Sequence, residues 1–124
     1  MLRSALAILA GFVLFAGAMA VFFNLMGRDP HARASMPFML LTTFYGMLFA
    51  ALGGYLTVLL STRHKFEHAF LVALMIAASG AALILGRPQG TPVWSHLAEV
   101  LTMAPIAMVG GYLRLRQLHA SRTK

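Results

Sequence analysis

Four long apolar stretches separated by short polar breaks make up nearly the whole of this 124-residue chain. The first, residues 4–27, carries no charge, and at about 1.5 Å per residue a helix of that length crosses a hydrocarbon layer of about 30 Å. The second covers residues 36–61, with Pro37 suited to a first helical turn and Arg63 and Lys65 closing it. The third, residues 66–86, ends at the breakers Gly86, Pro88 and Gly90. The fourth, residues 92–116, begins near Pro92 with Thr91 placed to cap it. No water inside a bilayer satisfies backbone groups, so apolar runs of this length must be helices. Connections of fewer than about ten residues make sequence neighbours antiparallel. The prediction is an all-α protein: a four-helix transmembrane bundle, up and down, forming one integral membrane domain over residues 1–124.

Composition agrees with this pattern and narrows the chemistry. Hydrophobic residues make up 60% and charged residues 10% of the chain, against roughly 25% charged in ordinary soluble domains. With no cysteine, disulfides, thiolate metal sites and cysteine nucleophiles are excluded. The net charge of +7 would suggest nucleic acid in a soluble chain. Here the basic residues stand at the ends of apolar runs, where they meet lipid headgroups and set topology, so no nucleic-acid partner is expected. Placing the N-terminus inside puts Arg3, Arg63, Lys65, Arg114, Arg116, Arg122 and Lys124 on the cytoplasmic side and leaves Arg28, Arg33 and Arg87 outside. That bias orients both termini to the cytoplasm, with Trp94 at the outer interface and Tyr112 at the inner one. Arg3, the apolar run and Ala18-Met19-Ala20 also have the form of a cleavable signal peptide ending at residue 20. The apolar run continues through Val21, Phe22 and Phe23, so the expectation is a retained first helix.

Two polar constellations invite a chemical reading. His64, Glu67 and His68 spell H-x-x-E-H, a zinc-peptidase spacing. A metal site needs at least three converging ligands. The other acids, Asp29 and Glu99, belong to the opposite side of the bilayer, and only His119 is left as an inner ligand beside His64 and His68. The expectation is therefore a basic interfacial turn, with Glu67 in the dipole-favoured first turn of the third helix and no metal or cofactor. The second constellation is a candidate polar site at Glu99. His96 lies one turn before it, and Thr42 and Thr43 offer hydroxyls from the second helix. An ionisable group inside a membrane span is costly, so it marks either a structural pairing or a functional site. Ser95, His96 and Glu99 share one helix and cannot converge as a hydrolytic triad, and no phosphate loop is present. No enzymatic activity is expected.

Packing gives the strongest pattern. Gly46, Ala50 and Gly54 recur every four residues in the second run, and Ala69, Ala73, Ala77 and Ala81 do so in the third. Ala107 and Gly111 continue the theme in the fourth. Small residues at this spacing let helix backbones approach where lipid removes the hydrophobic drive. Pro105 should kink the fourth helix by freeing a carbonyl near Leu101, and Asn24 is expected to bond between helices. Gly53-Gly54-Tyr55-Leu56 is echoed by Gly110-Gly111-Tyr112-Leu113 at an offset of 57, consistent with either chance or duplication of a hairpin.

The opening MLRSALAILAGF, the LGGYL at residues 52–56 with Arg63 soon after, and the four-span layout resemble small bacterial inner-membrane proteins without assigned activity. That resemblance implies a multi-pass inner-membrane location and no reaction. Small multidrug exporters differ, having a glutamate in their first helix where this chain has none. Small fluoride channels share a Thr-Thr-Phe triplet with Thr42-Thr43-Phe44, but theirs lies in a broken third helix and their N-terminal Gly-Gly-x-x-x-Arg-type signature is missing here. Two functional expectations follow: a structural or accessory component packing with itself or with a larger membrane partner, or a small oligomeric transporter or channel using Glu99.

Overall fold

In the computed structural model, residues 2–27, 35–86 and 94–122 are described, the side chains of Ser95 and Arg122 excepted. Helix α1 spans Leu2–Met26, α2 Met36–Leu60 and α3 Lys65–Leu85. The fourth run is composite: α4 at Trp94–Ala98, a π turn at Glu99–Met103, and α5 at Ala104–Arg122. These form four helices long and apolar enough to cross a membrane. The helix ends fall within a residue or two of the hydropathy breaks, except that α5 runs on to Arg122. Thr91, Pro92 and the breakers Pro88 and Gly90 lie outside the described residues.

The surface inverts the order of a water-soluble fold. Phe44 is 65% and Leu101 68% exposed, while Thr42 and Thr57 are wholly buried. Inside, Phe15, Val72, Ile76 and Met103 pack with Ala50, Ala73, Ala104 and Ala107, and the buried threonines bond to carbonyls, an arrangement that suits hydrocarbon outside.

Helix α2 packs against α1, α3 and α5, whereas α1 meets α2 and α3 but not α5 among the described residues. As α1 advances from Arg3 to Phe22, its partners on α2 run backwards. Arg3 Nε donates to the Leu60 carbonyl at 3.0 Å, Thr57 Oγ1 lies 3.2 Å from the Ala7 carbonyl, and Tyr45 OH donates to the Ala18 carbonyl at 3.0 Å. The Phe22 and Phe38 rings stack at 5.9 Å. Along the π turn and α5 the order is instead shared with α2: Gly46 lies against Met103, Gly54 against Ala107, and Tyr55 OH donates to Gln117 Oε1 at 2.6 Å.

The two Gly-Gly-Tyr-Leu stretches meet in this contact. Consecutive helical residues point about 100° apart, so adjacent glycines open two faces at once. Gly53 faces Gly11 of α1 while Gly54 faces Ala107 and Gly111 of α5. Likewise Gly110 sits on the Ala51 carbonyl, and Gly111 lies against Ala69 of α3 and Val58 of α2. A methyl at Gly54 or Gly110 would overlap a backbone carbonyl, an obstacle that no rotamer change removes.

Of the other small residues, Gly46, Ala50, Ala69 and Ala73 are buried, Ala77 is half-buried and Ala81 faces outward. Four residues turn a helix by about 400°, so a strict four-residue stripe drifts by about 40° per repeat and leaves the interface. Gly80 takes the inward place instead. Asn24 bonds within its own helix, to the Ala20 carbonyl at 2.9 Å, rather than across an interface.

Pro105 supplies no N–H to the turn before it, and the chain responds with the π turn, in which the Ala104 N–H reaches back five residues to the Glu99 carbonyl. The Ala98 carbonyl accepts from Thr102 Oγ1 at 2.5 Å.

Substitution of glycine therefore has opposite expected signs at different positions. Gly54→Ala or Gly110→Ala should destabilise the bundle by about 1–3 kcal/mol through overpacking. Gly17→Ala meets nothing within 4 Å and should be neutral or stabilising by up to about 1 kcal/mol. Thermal melting of the three variants in one detergent checks the contrast.

Candidate functional site

Glu99 opens the π turn, and its side chain turns toward α3. Ser79 Oγ lies 2.5 Å from Glu99 Oε1 and 2.8 Å from the Ile76 carbonyl of its own helix. Gly80 makes this approach feasible: a Cβ there would stand 3.2 Å from the His96 carbonyl and 3.3 Å from the Glu99 carboxyl carbon. With no side chain on Gly80, the backbone of α4 sits directly on α3.

The geometry accommodates both protonation states of Glu99 without moving a heavy atom. When the carboxylate is ionised, the Ser79 hydroxyl donates to it. When it is protonated, its O–H donates to Ser79 Oγ, and the serine proton turns to the Ile76 carbonyl. One rotating hydroxyl thus accompanies gain or loss of a proton. His96 is buried one turn earlier on the same helix. Thr42 and Thr43 each donate to a carbonyl of α2 one turn back, Phe38 and Met39, both at 2.8 Å. Thr42 is fully buried, and among the described residues no hydrogen bond joins Thr42 or Thr43 to Glu99. Arg28, Arg33 and Arg87, the basic residues expected on the same side of the bilayer as Glu99, lie outside the described residues.

Ser79 was not legible from the sequence as a partner. It is one hydroxyl in an alanine-rich run, and only its neighbour Gly80 hints at a close crossing.

At the other end of the bundle, the last carbonyls of α2 are met by cations. Lys65 Nζ donates to the Ser61 and Val58 carbonyls, and Arg3 caps Leu60 from α1. Positive charge at a helix C-terminus is favoured by the backbone dipole. Ser61 Oγ donates to the Thr57 carbonyl at 2.7 Å and lies 2.9 Å from His68 Nδ1. His64 Nδ1 instead faces Glu67 at 3.3 Å on the exposed surface. The two imidazoles of the H-x-x-E-H stretch thus serve different partners, and among the described residues no three His, Asp or Glu side chains gather as metal ligands. Glu67 occupies the first turn of α3. Comparison with family models, with curated proteins and with solved structures finds no match for this chain.

Removing the Ser79 hydroxyl should leave the Glu99 carboxyl without its α3 donor and cost about 1–3 kcal/mol. Ser79→Thr, which keeps a hydroxyl, should recover most of that loss. Melting temperatures of Ser79→Ala and Ser79→Thr in detergent decide the matter; equal losses in both would mean that packing, and not the hydrogen bond, matters there.

Proposed function

We propose that this chain is a small multi-pass protein of the bacterial inner membrane, a non-enzymatic structural or accessory component that packs with itself or with a larger membrane partner. Both termini lie in the cytoplasm and helices adjacent in sequence are antiparallel. The opposed order of contacts between α1 and α2 supports the antiparallel reading, and the gathering of basic residues at the termini and the 62–65 turn supports the orientation.

One observation carries the packing role. The glycines of α2 and α5 are consumed inside the bundle, yet α1 keeps an outward face of Ala16, Gly17, Ala20 and Asn24 at helical spacing. Nothing lies within 4 Å of where a Gly17 side chain would begin. Small residues left exposed among the described residues suit the close approach of a second helix in lipid. The native complex extracted in mild detergent should exceed the 13.4 kDa of one chain, and Gly17→Leu with Ala20→Leu should reduce it. A lone monomer in the wild type would end this reading.

A second reading, an oligomeric transporter or channel using Glu99, is favoured by the Ser79 hydrogen bond beside a π turn, a distortion often found at functional sites. In proteoliposomes, Glu99→Gln should abolish proton-linked flux while leaving the mass of the complex unchanged. A wild type without such flux excludes this second role.

A further inference from the structure

Between the 62–65 turn and α5 lies an open cleft of about 200 Å³. We propose that it binds a phosphate group, carried by an anionic lipid headgroup or by a soluble phosphate. Arg63, His64 and Lys65 line it from the turn and His119 from α5, with Leu115 and Leu118 as its apolar wall. No carboxylate lines it among the described residues; Glu67 pairs with His64.

The donors are arranged rather than merely gathered. Lys65 is tethered by the Ser61 and Val58 carbonyls, so its charge is held at the end of α2. His64 takes a left-handed backbone, φ 48°, which reverses the chain tightly enough to set residues 63–65 against α5. The Arg63 guanidinium has no hydrogen bond or ion pair among the described residues, and its planar fork matches two phosphate oxygens. Leu115 and Leu118 extend the cleft with a surface suited to the glycerol and upper acyl carbons of a lipid. That a lipid supplies the phosphate rests on the membrane reading above, whereas the phosphate chemistry does not.

The test uses the full chain in a neutral detergent, with melting followed as inorganic phosphate, a short-chain phosphatidic acid or the matching diacylglycerol is added at constant ionic strength. Stabilisation by phosphatidic acid alone identifies a headgroup site, and stabilisation by inorganic phosphate as well identifies a site open to soluble phosphates. In either case Arg63→Ala/His119→Ala, altered at exposed positions, should weaken binding by about tenfold. The proposal is overturned if neither phosphate carrier stabilises the chain, if diacylglycerol does so equally, or if the double variant binds as the wild type does. The mass of the native complex, read in the same samples, separates failure of the cleft from failure of the packing role.

Discussion

The whole arrangement depends on how closely α2 can be approached from two sides. In hydrocarbon, burying apolar surface between helices brings little, because lipid covers it equally well, and cohesion must come from contacts at short range. Gly53 and Gly54 admit α1 and α5 to the backbone of α2, Gly110 sits on the Ala51 carbonyl from the other side of the same contact, and Gly111 leaves room for Ala69 of α3. Many leucines, with Phe44, Phe66 and Phe70, are left outward, while Phe15, Ile76 and Met103 fill the core between the helices.

The same economy governs the polar side chains. Thr42, Thr43, Thr57, Ser61 and Thr102 each donate to a carbonyl of their own helix four residues back, and Ser79 donates to the Ile76 carbonyl when Glu99 is protonated. A hydroxyl satisfied in this way is safe to bury and can also serve a neighbour, as Ser79 does for Glu99 and Ser61 for His68. The ionisable groups follow a stricter rule. The basic side chains of the 62–65 turn, with Arg3, stand at the end of α2 where its carbonyls are open, Glu67 keeps to the first turn of α3, and Glu99 lies further inside the fourth span.

Much of the architecture was legible in the hydropathy breaks, since length and the absence of charge determine a membrane helix almost by themselves. Inward faces were less so. The four-residue alanine stripe gave Ala69 and Ala73 correctly as buried but carried on to Ala81, past the point where the helix had rotated away and Gly80 had replaced it. The Gly-Gly-Tyr-Leu echo was visible as a repeat, but that its copies touch depends on α2 and α5 lying side by side. At the candidate site, Glu99 stood out as an acid in an apolar run. Its partner did not, because a serine among alanines has no periodic signature.

The π turn between Glu99 and Met103 has a geometric effect beyond accommodating Pro105. A widened turn holds one residue more than an α-turn, so everything after it is swung by about 100° relative to an unbroken helix. Glu99 can therefore look toward Ser79 on one neighbour while Gly110, further down the same rod, looks toward Ala51 on another. The bulge acts as a phase shifter: it uncouples the aim of the upper half of the helix from that of the lower half, so that one continuous span reads two different partners.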